Sequence, residues 1–174
     1  MIFKIAMSFL AFSILLFGAD DCFVDKSEVP NLKMKDTGLS FEDIECYQNF
    51  KIVATHYRTD KTELRYILAN DVAYKALKAQ KTVMPNGSKI VKIGWIVDKM
   101  PIYPVALEAD KIQRIEYMIK DKTKHKESDG WGYARFVKKD GKYKAWGGDI
   151  QSCVSCYQLV KSNDALFTKY QRMF

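Results

Sequence analysis

Between Leu64 and Trp146 the chain keeps returning to a two-residue period, and that repetition limits the possible fold more than any other feature. In Lys89 to Val97, the side chains of Val91, Ile93, Trp95 and Val97 share one face, and Ile90, Lys92, Gly94 and Ile96 share the other. In Ile112 to Lys120, Gln113, Ile115, Tyr117 and Ile119 alternate with Ile112, Arg114, Glu116 and Met118. A backbone with that period is a strand. Leu64 to Ala69, Trp131 to Val137 and Lys142 to Trp146 read as further short strands, the last two joined at Asp140-Gly141, a hairpin signature. Pro85-Asn86-Gly87 marks a tight turn, and Met100-Pro101-Ile102-Tyr103-Pro104 reads as a loop over the sheet.

Helical signals lie beside these strands. Asn70-Asp71 caps a stretch in which Val72, Ala73, Ala76 and Leu77 share a face. Cys153 to Lys161 and Asp164 to Tyr170 read as helical turns, the second opened by Asn163. The order of elements predicts an α+β domain, mainly an antiparallel β-sheet with flanking short helices and a C-terminal helical segment carrying the last two cysteines. With 174 residues, 48% of them hydrophobic, the chain can bury one core, which excludes a disordered or fibrous protein. The net charge of +7 is scattered among acids and forms no block, so no nucleic-acid surface is expected. Trp95, Trp131, Tyr133, Phe136 and Trp146 read as core before they read as a pocket lining.

Residues 1–19 have one cation, Lys4, then an apolar run that ends in small Gly18-Ala19. This is the layout of a signal peptide cleaved after Ala19. The run from Ile5 to Phe17 is 13 residues, short of the roughly 20 that a membrane-spanning helix needs. An uncleaved anchor is the alternative. Asp20 and Asp21 before Cys22 do not fit a lipoprotein signal. Cleavage removes Lys4 and no acid, leaving a charge of +6 on a periplasmic chain with no transmembrane helix. In that oxidising compartment, Cys22 and Cys46 are expected to form a disulfide that tethers the N-terminal segment, residues 20–56.

The remaining cysteines lie in Gln151-Ser152-Cys153-Val154-Ser155-Cys156-Tyr157. Their spacing is that of CxxCH, in which two thiols add to the vinyl groups of haem and the histidine ligates the iron. Here Tyr157 stands in the histidine's place. A bare CxxC also reads as a redox dithiol, a disulfide or half of a zinc site. Zinc lacks partners, because His56 and His125 are the only histidines and neither stands at ligand spacing. A thioredoxin-like pair opens a helix within a βαβ unit, which these strands do not form.

Beyond the motif, Tyr57-Arg58-Thr59-Asp60, Leu64-Arg65-Tyr66-Ile67-Leu68-Ala69-Asn70, Pro85-Asn86-Gly87-Ser88-Lys89-Ile90-Val91-Lys92, Gly130-Trp131-Gly132-Tyr133-Ala134-Arg135-Phe136 and Asp164 to Tyr170, taken with the CxxC, closely resemble the cytochrome P-460 family. The resemblance places the family domain over residues 57–174. It implies an exported, mostly antiparallel β homodimer carrying haem c, with the fold shared by the β-type cytochromes c prime. Carried over by position, Cys153 and Cys156 attach the haem, Lys92 is the lysine that bonds to a haem meso carbon, and Glu116 is the carboxylate that assists proton transfer. The implied substrates are small nitrogen species such as hydroxylamine or nitric oxide, with a soluble redox partner. Three alternatives stay open at Tyr157: iron ligation by its phenolate, ligation by another residue, or a haem-free, disulfide-bonded binding module. Lys92 and Glu116 stand among apolar neighbours, where an unpaired charge is costly. Their structural alternatives are a Lys92 that snorkels to a sheet edge and a Glu116 that pairs with Arg114 or Lys120.

Overall fold

Six strands pair in sequence order as one antiparallel sheet: β1 (Lys51–Arg58), β2 (Glu63–Ala69), β3 (Lys89–Met100), β4 (Tyr103–Lys120), β5 (Trp131–Lys139) and β6 (Lys142–Ala145). The computed structural model describes residues 30–172. The expected signal peptide over residues 1–19 and Cys22 lie outside these residues. Each strand is antiparallel to the next, so short turns suffice for most connections. The connection from β2 to β3 carries α1 (Asp71–Lys78), and α2 (Gln151–Gln158) follows β6.

Alternation builds two buried faces. Val91, Ile93, Ile115, Tyr117, Ala134 and Phe136 are buried on one of them. The segment before β1 covers that face: Phe41 and Ile44 are buried in a 3-10 turn, with the Phe41 ring centroid 4.6 Å from Phe136 and 5.1 Å from Tyr143. The Tyr117 hydroxyl donates to the Ser40 carbonyl, locking this segment down. The opposite face, with Ile90, Met118, Trp131 and Tyr133, is covered by the chain after β6, from which Ile150 and Leu166 are buried. Asp164 anchors that chain: its Oδ1 accepts from the Lys120 ammonium at 2.6 Å and its Oδ2 from the Met84 amide at 2.7 Å. The Trp131 indole donates to the Asp164 carbonyl at 2.8 Å. Lys120 is 1% exposed, so this ion pair sits inside the core.

Asn70 caps α1 as the sequence predicts, accepting from the Ala73 amide at 3.1 Å. The same oxygen accepts from the Lys89 amide at 3.0 Å, which ties the helix to the start of β3. Ala73, Ala76 and Leu77 are buried, whereas Val72 turns to solvent.

Four sequence expectations change. Met100 to Pro104 is not a loop over the sheet but the tip of a long hairpin, so β4 begins at Tyr103 and not at Ile112. Beyond the last pairs with β2 and β5, Glu63↔Ile96 and Arg114↔Val137, this ribbon is only two strands wide. Pro104 on its open edge has no further ladder to interrupt. Asp164 to Tyr170 is not helical: Asp164 and Ala165 both take positive φ, 50° and 58°, and the chain runs on without regular structure. It then leans on β1, where the Gln171 amide donates to the Val53 carbonyl at 2.9 Å. Finally, β1 itself is a strand that the sequence pattern does not announce. Its residues Lys51 to Arg58 lie across the expected boundary at residue 57.

Candidate functional site

Lys92, Glu116, Cys153 and Tyr157, which are far apart in sequence, line one narrow cavity together with Ile90, Tyr133 and Arg135. Register explains the floor: Lys92 pairs with Glu116 across β3 and β4, and Glu116 with Arg135 across β4 and β5, so the three side chains share one row and one face. Helix α2 forms the lid. None of its residues is fully buried, and Cys153, Val154 and Tyr157 hold it to the core.

Tyr157 fills the space between lid and floor. Its ring stacks on Tyr133 with centroids 4.9 Å apart and lies 5.3 Å from Phe167. The Lys92 ammonium donates to the Tyr157 hydroxyl and stands 4.5 Å from the ring centroid. Lys92 does not snorkel to a sheet edge. Burial pulls its pKa down to about 8, against a partial upward pull from Glu116.

Cys153 and Cys156 are free thiols one helical turn apart. Cys153 is half-buried at the cavity, where burial raises its pKa, and Cys156 is exposed. Burial also raises the pKa of Tyr133, which stays a neutral phenol. The expected Cys22–Cys46 pair depends on Cys22, which lies outside the described residues.

Glu116 does not pair with Lys120, which is committed to Asp164. Its Oε1 is shared by the Nε of Arg135 at 2.8 Å and the Nε of Arg114 at 3.1 Å. Burial would raise the Glu116 pKa, but Arg135, Lys92 and Arg114 together outweigh it and hold the carboxyl below its ordinary value. Arg114 also reaches Glu63, donating at 2.6 Å, and Glu63 is further paired with Arg65. Glu63 is 0% exposed and lies across Gly94, where a Cβ would come within 2.9 Å of its Oε2. The absence of a side chain at Gly94 is what lets this carboxylate reach both arginines.

The sequence reading offers Arg114 as a partner for Glu116, which the structure bears out, but misses Arg135, Arg65 and Glu63. The network's signal is nonetheless present: Arg114 and Glu116, and Tyr133 and Arg135, are spaced by two on faces that are otherwise apolar. His56 shares this face beside Arg65; burial first, then Lys92 and Arg65, lowers its pKa. Among the described residues no group of three or more His, Cys, Asp or Glu is placed to hold a metal ion.

The donor set fits a covalently held haem. Two free thiols sit one turn apart, and the nearer one opens on the cavity that receives the lysine amine. The space does not fit while Tyr157 is in it: the cavity encloses only about 20 Å³, room for a single water, against roughly 300 Å³ or more for a ligand pocket, so a haem needs movement of the lid. Helix α2 has no fully buried residue, and opening that space means withdrawing Tyr157 from Tyr133, Phe167 and Lys92.

The family model described as Cytochrome P460 matches residues 44–168. No curated protein matches the chain.

Proposed function

Because the chain belongs to the cytochrome P460 family, we propose that it is an exported c-type haem protein, an oxidoreductase or sensor for small nitrogen species such as hydroxylamine or nitric oxide. The observation that carries this reading is the convergence of Cys153, Lys92, Glu116 and Tyr157 on one cavity from β3, β4 and α2. Bound haem supplies an iron that exchanges single electrons and binds small nitrogen ligands. Cys153 and Cys156 would hold it by thioethers, and Lys92 would be the amine placed to bond to the ring. Tyr157 is the candidate iron ligand, presented from the helix that carries both thiols. Glu116, kept ionised by the cations around it, sets a negative charge in the cavity wall and takes protons only as a weak base. Tyr133, a neutral phenol, stacks on the Tyr157 ring and packs that side of the cavity.

The reading includes export to the periplasm through residues 1–19, a Cys22–Cys46 disulfide and a homodimer. Support for the dimer comes from the projecting β3–β4 hairpin, which leaves Ile102, Tyr103, Val105 and Leu107 exposed. No helix among the described residues is long and apolar enough to cross a membrane. One observation favours the haem-free alternative: the Lys92 to Tyr157 hydrogen bond closes the cavity on itself.

The test is haem stain on a denaturing gel, for wild type and Tyr157→His expressed with haem maturation machinery. Restoring CxxCH raises covalent haem occupancy, and replacing an anionic phenolate by neutral imidazole makes the bound iron easier to reduce. Haem in neither protein would leave the binding-module reading.

A further inference from the structure

Positive charge on the cavity face exceeds negative charge. Arg65, Lys92, Arg114 and Arg135 share only Glu63 and Glu116, while Arg58 nearby is matched by its own partner, Asp60. These side chains are largely shielded: those of Arg65 and Arg114 are 14% and 13% exposed. An uncompensated charge in such a setting is costly until an anion answers it.

Arg135 is the member that can answer. It lines the cavity beside Lys92, and its side chain is 27% exposed, more than Arg65 or Arg114. Its Nε lies close to Glu116 Oε1, yet neither atom makes a directed hydrogen bond, so charge alone holds that contact and the donors of the guanidinium fork are not spent on it. The fork is held in place from below by Trp146, whose ring centroid is 4.2 Å from the Arg135 Cζ. Trp146 is in turn seated by Gly148, where a Cβ would come within 2.3 Å of the indole. A rigid fork next to an ammonium, with two positive charges in surplus, matches the two oxygens of a planar anion.

We propose that Arg135, seated on Trp146 and backed by Lys92, is a binding subsite for a planar, singly charged carboxylate or oxyanion. The anion is either a carboxylate of the cofactor, which rests on the haem reading above, or a free oxyanion, which does not.

Two arms on the full-length, haem-free protein separate these sources. In the first, metal-free protoporphyrin IX and its dimethyl ester are titrated by fluorescence into wild type, Arg135→Gln and Arg135→Lys. A cofactor carboxylate in the subsite makes wild type prefer the free acid by about tenfold. Arg135→Gln then loses that preference with unchanged affinity for the ester, and Arg135→Lys keeps part of it. In the second arm, the thermal midpoint is followed in sodium nitrite against sodium chloride at matched ionic strength. A nitrite-specific rise in wild type that disappears in Arg135→Gln, without any acid-over-ester preference, assigns the subsite to a free oxyanion. Circular dichroism of each variant confirms the fold. If no variant binds either porphyrin, the nitrite arm alone decides the subsite, and the haem reading is decided separately by the haem stain. Wild type showing neither response, or Arg135→Gln keeping those of wild type, would overturn the proposal.

Discussion

Replacing Lys92 by methionine should stabilise the haem-free protein, although it deletes a hydrogen bond. Burial lowers the Lys92 pKa from 10.5 to about 8, so below pH 8 the folded state carries a charge it disfavours. At roughly 1.36 kcal/mol per unit, that shift corresponds to about 3 kcal/mol of lost stability. Two effects reduce the gain: the Tyr157 hydroxyl loses its donor, at about 1 kcal/mol, and Lys92 is only partly covered as a residue. A net gain of about 2 kcal/mol at pH 7 remains. The sign fixes the pH dependence. Between pH 8 and 10.5 the unfolded chain binds the Lys92 proton more than the folded one does, so wild-type stability rises with pH and the advantage of Lys92→Met shrinks. Tyr47, Tyr117 and Tyr133, whose pKa values are raised by burial, work in the opposite direction at higher pH, but both proteins carry them. Urea denaturation of the pair from pH 7 to 10 measures the difference directly. A variant less stable than wild type at pH 7, by an amount that does not change with pH, would refute the account of a cation buried at a cost.

Asp164→Ala should destabilise the fold by about 3–5 kcal/mol, because it leaves the Lys120 ammonium charged inside the core; Lys120→Met in the same chain should recover much of the loss, read as the urea midpoint. Cys46→Ser should cost about 2–4 kcal/mol in the oxidised protein and nothing under reducing conditions, if Cys22 is its partner.

Much of the sheet can be read from the sequence because its strands alternate and its turns carry their own signals. Lys89 to Val97 and Ile112 to Lys120 display the period, and Asn70 shows its cap. The tip of the β3–β4 hairpin is harder to read because two prolines usually argue against a strand, and only the absence of neighbouring strands there makes them tolerable. The stretch from Asp164 to Tyr170 has helical spacing, but Asp164 is claimed by Lys120 and the Met84 amide, a tertiary demand that overrides local preference. At the site, Lys92, Glu116 and Cys153 are legible together only through the family resemblance, whereas strand parity alone puts Lys92 and Glu116 among apolar neighbours. Neither feature could show that Glu116 is held between Arg114 and Arg135, since that contact is set by the register of three strands.

Peptide mass mapping of the protein, expressed with haem attachment machinery and digested after denaturation, tests the central claim most directly. The account predicts one haem bound to the peptide containing Cys153 and Cys156 and bonded as well to the peptide containing Lys92. Both peptides recovered without haem, with the cysteines as thiols or joined to each other, would contradict it.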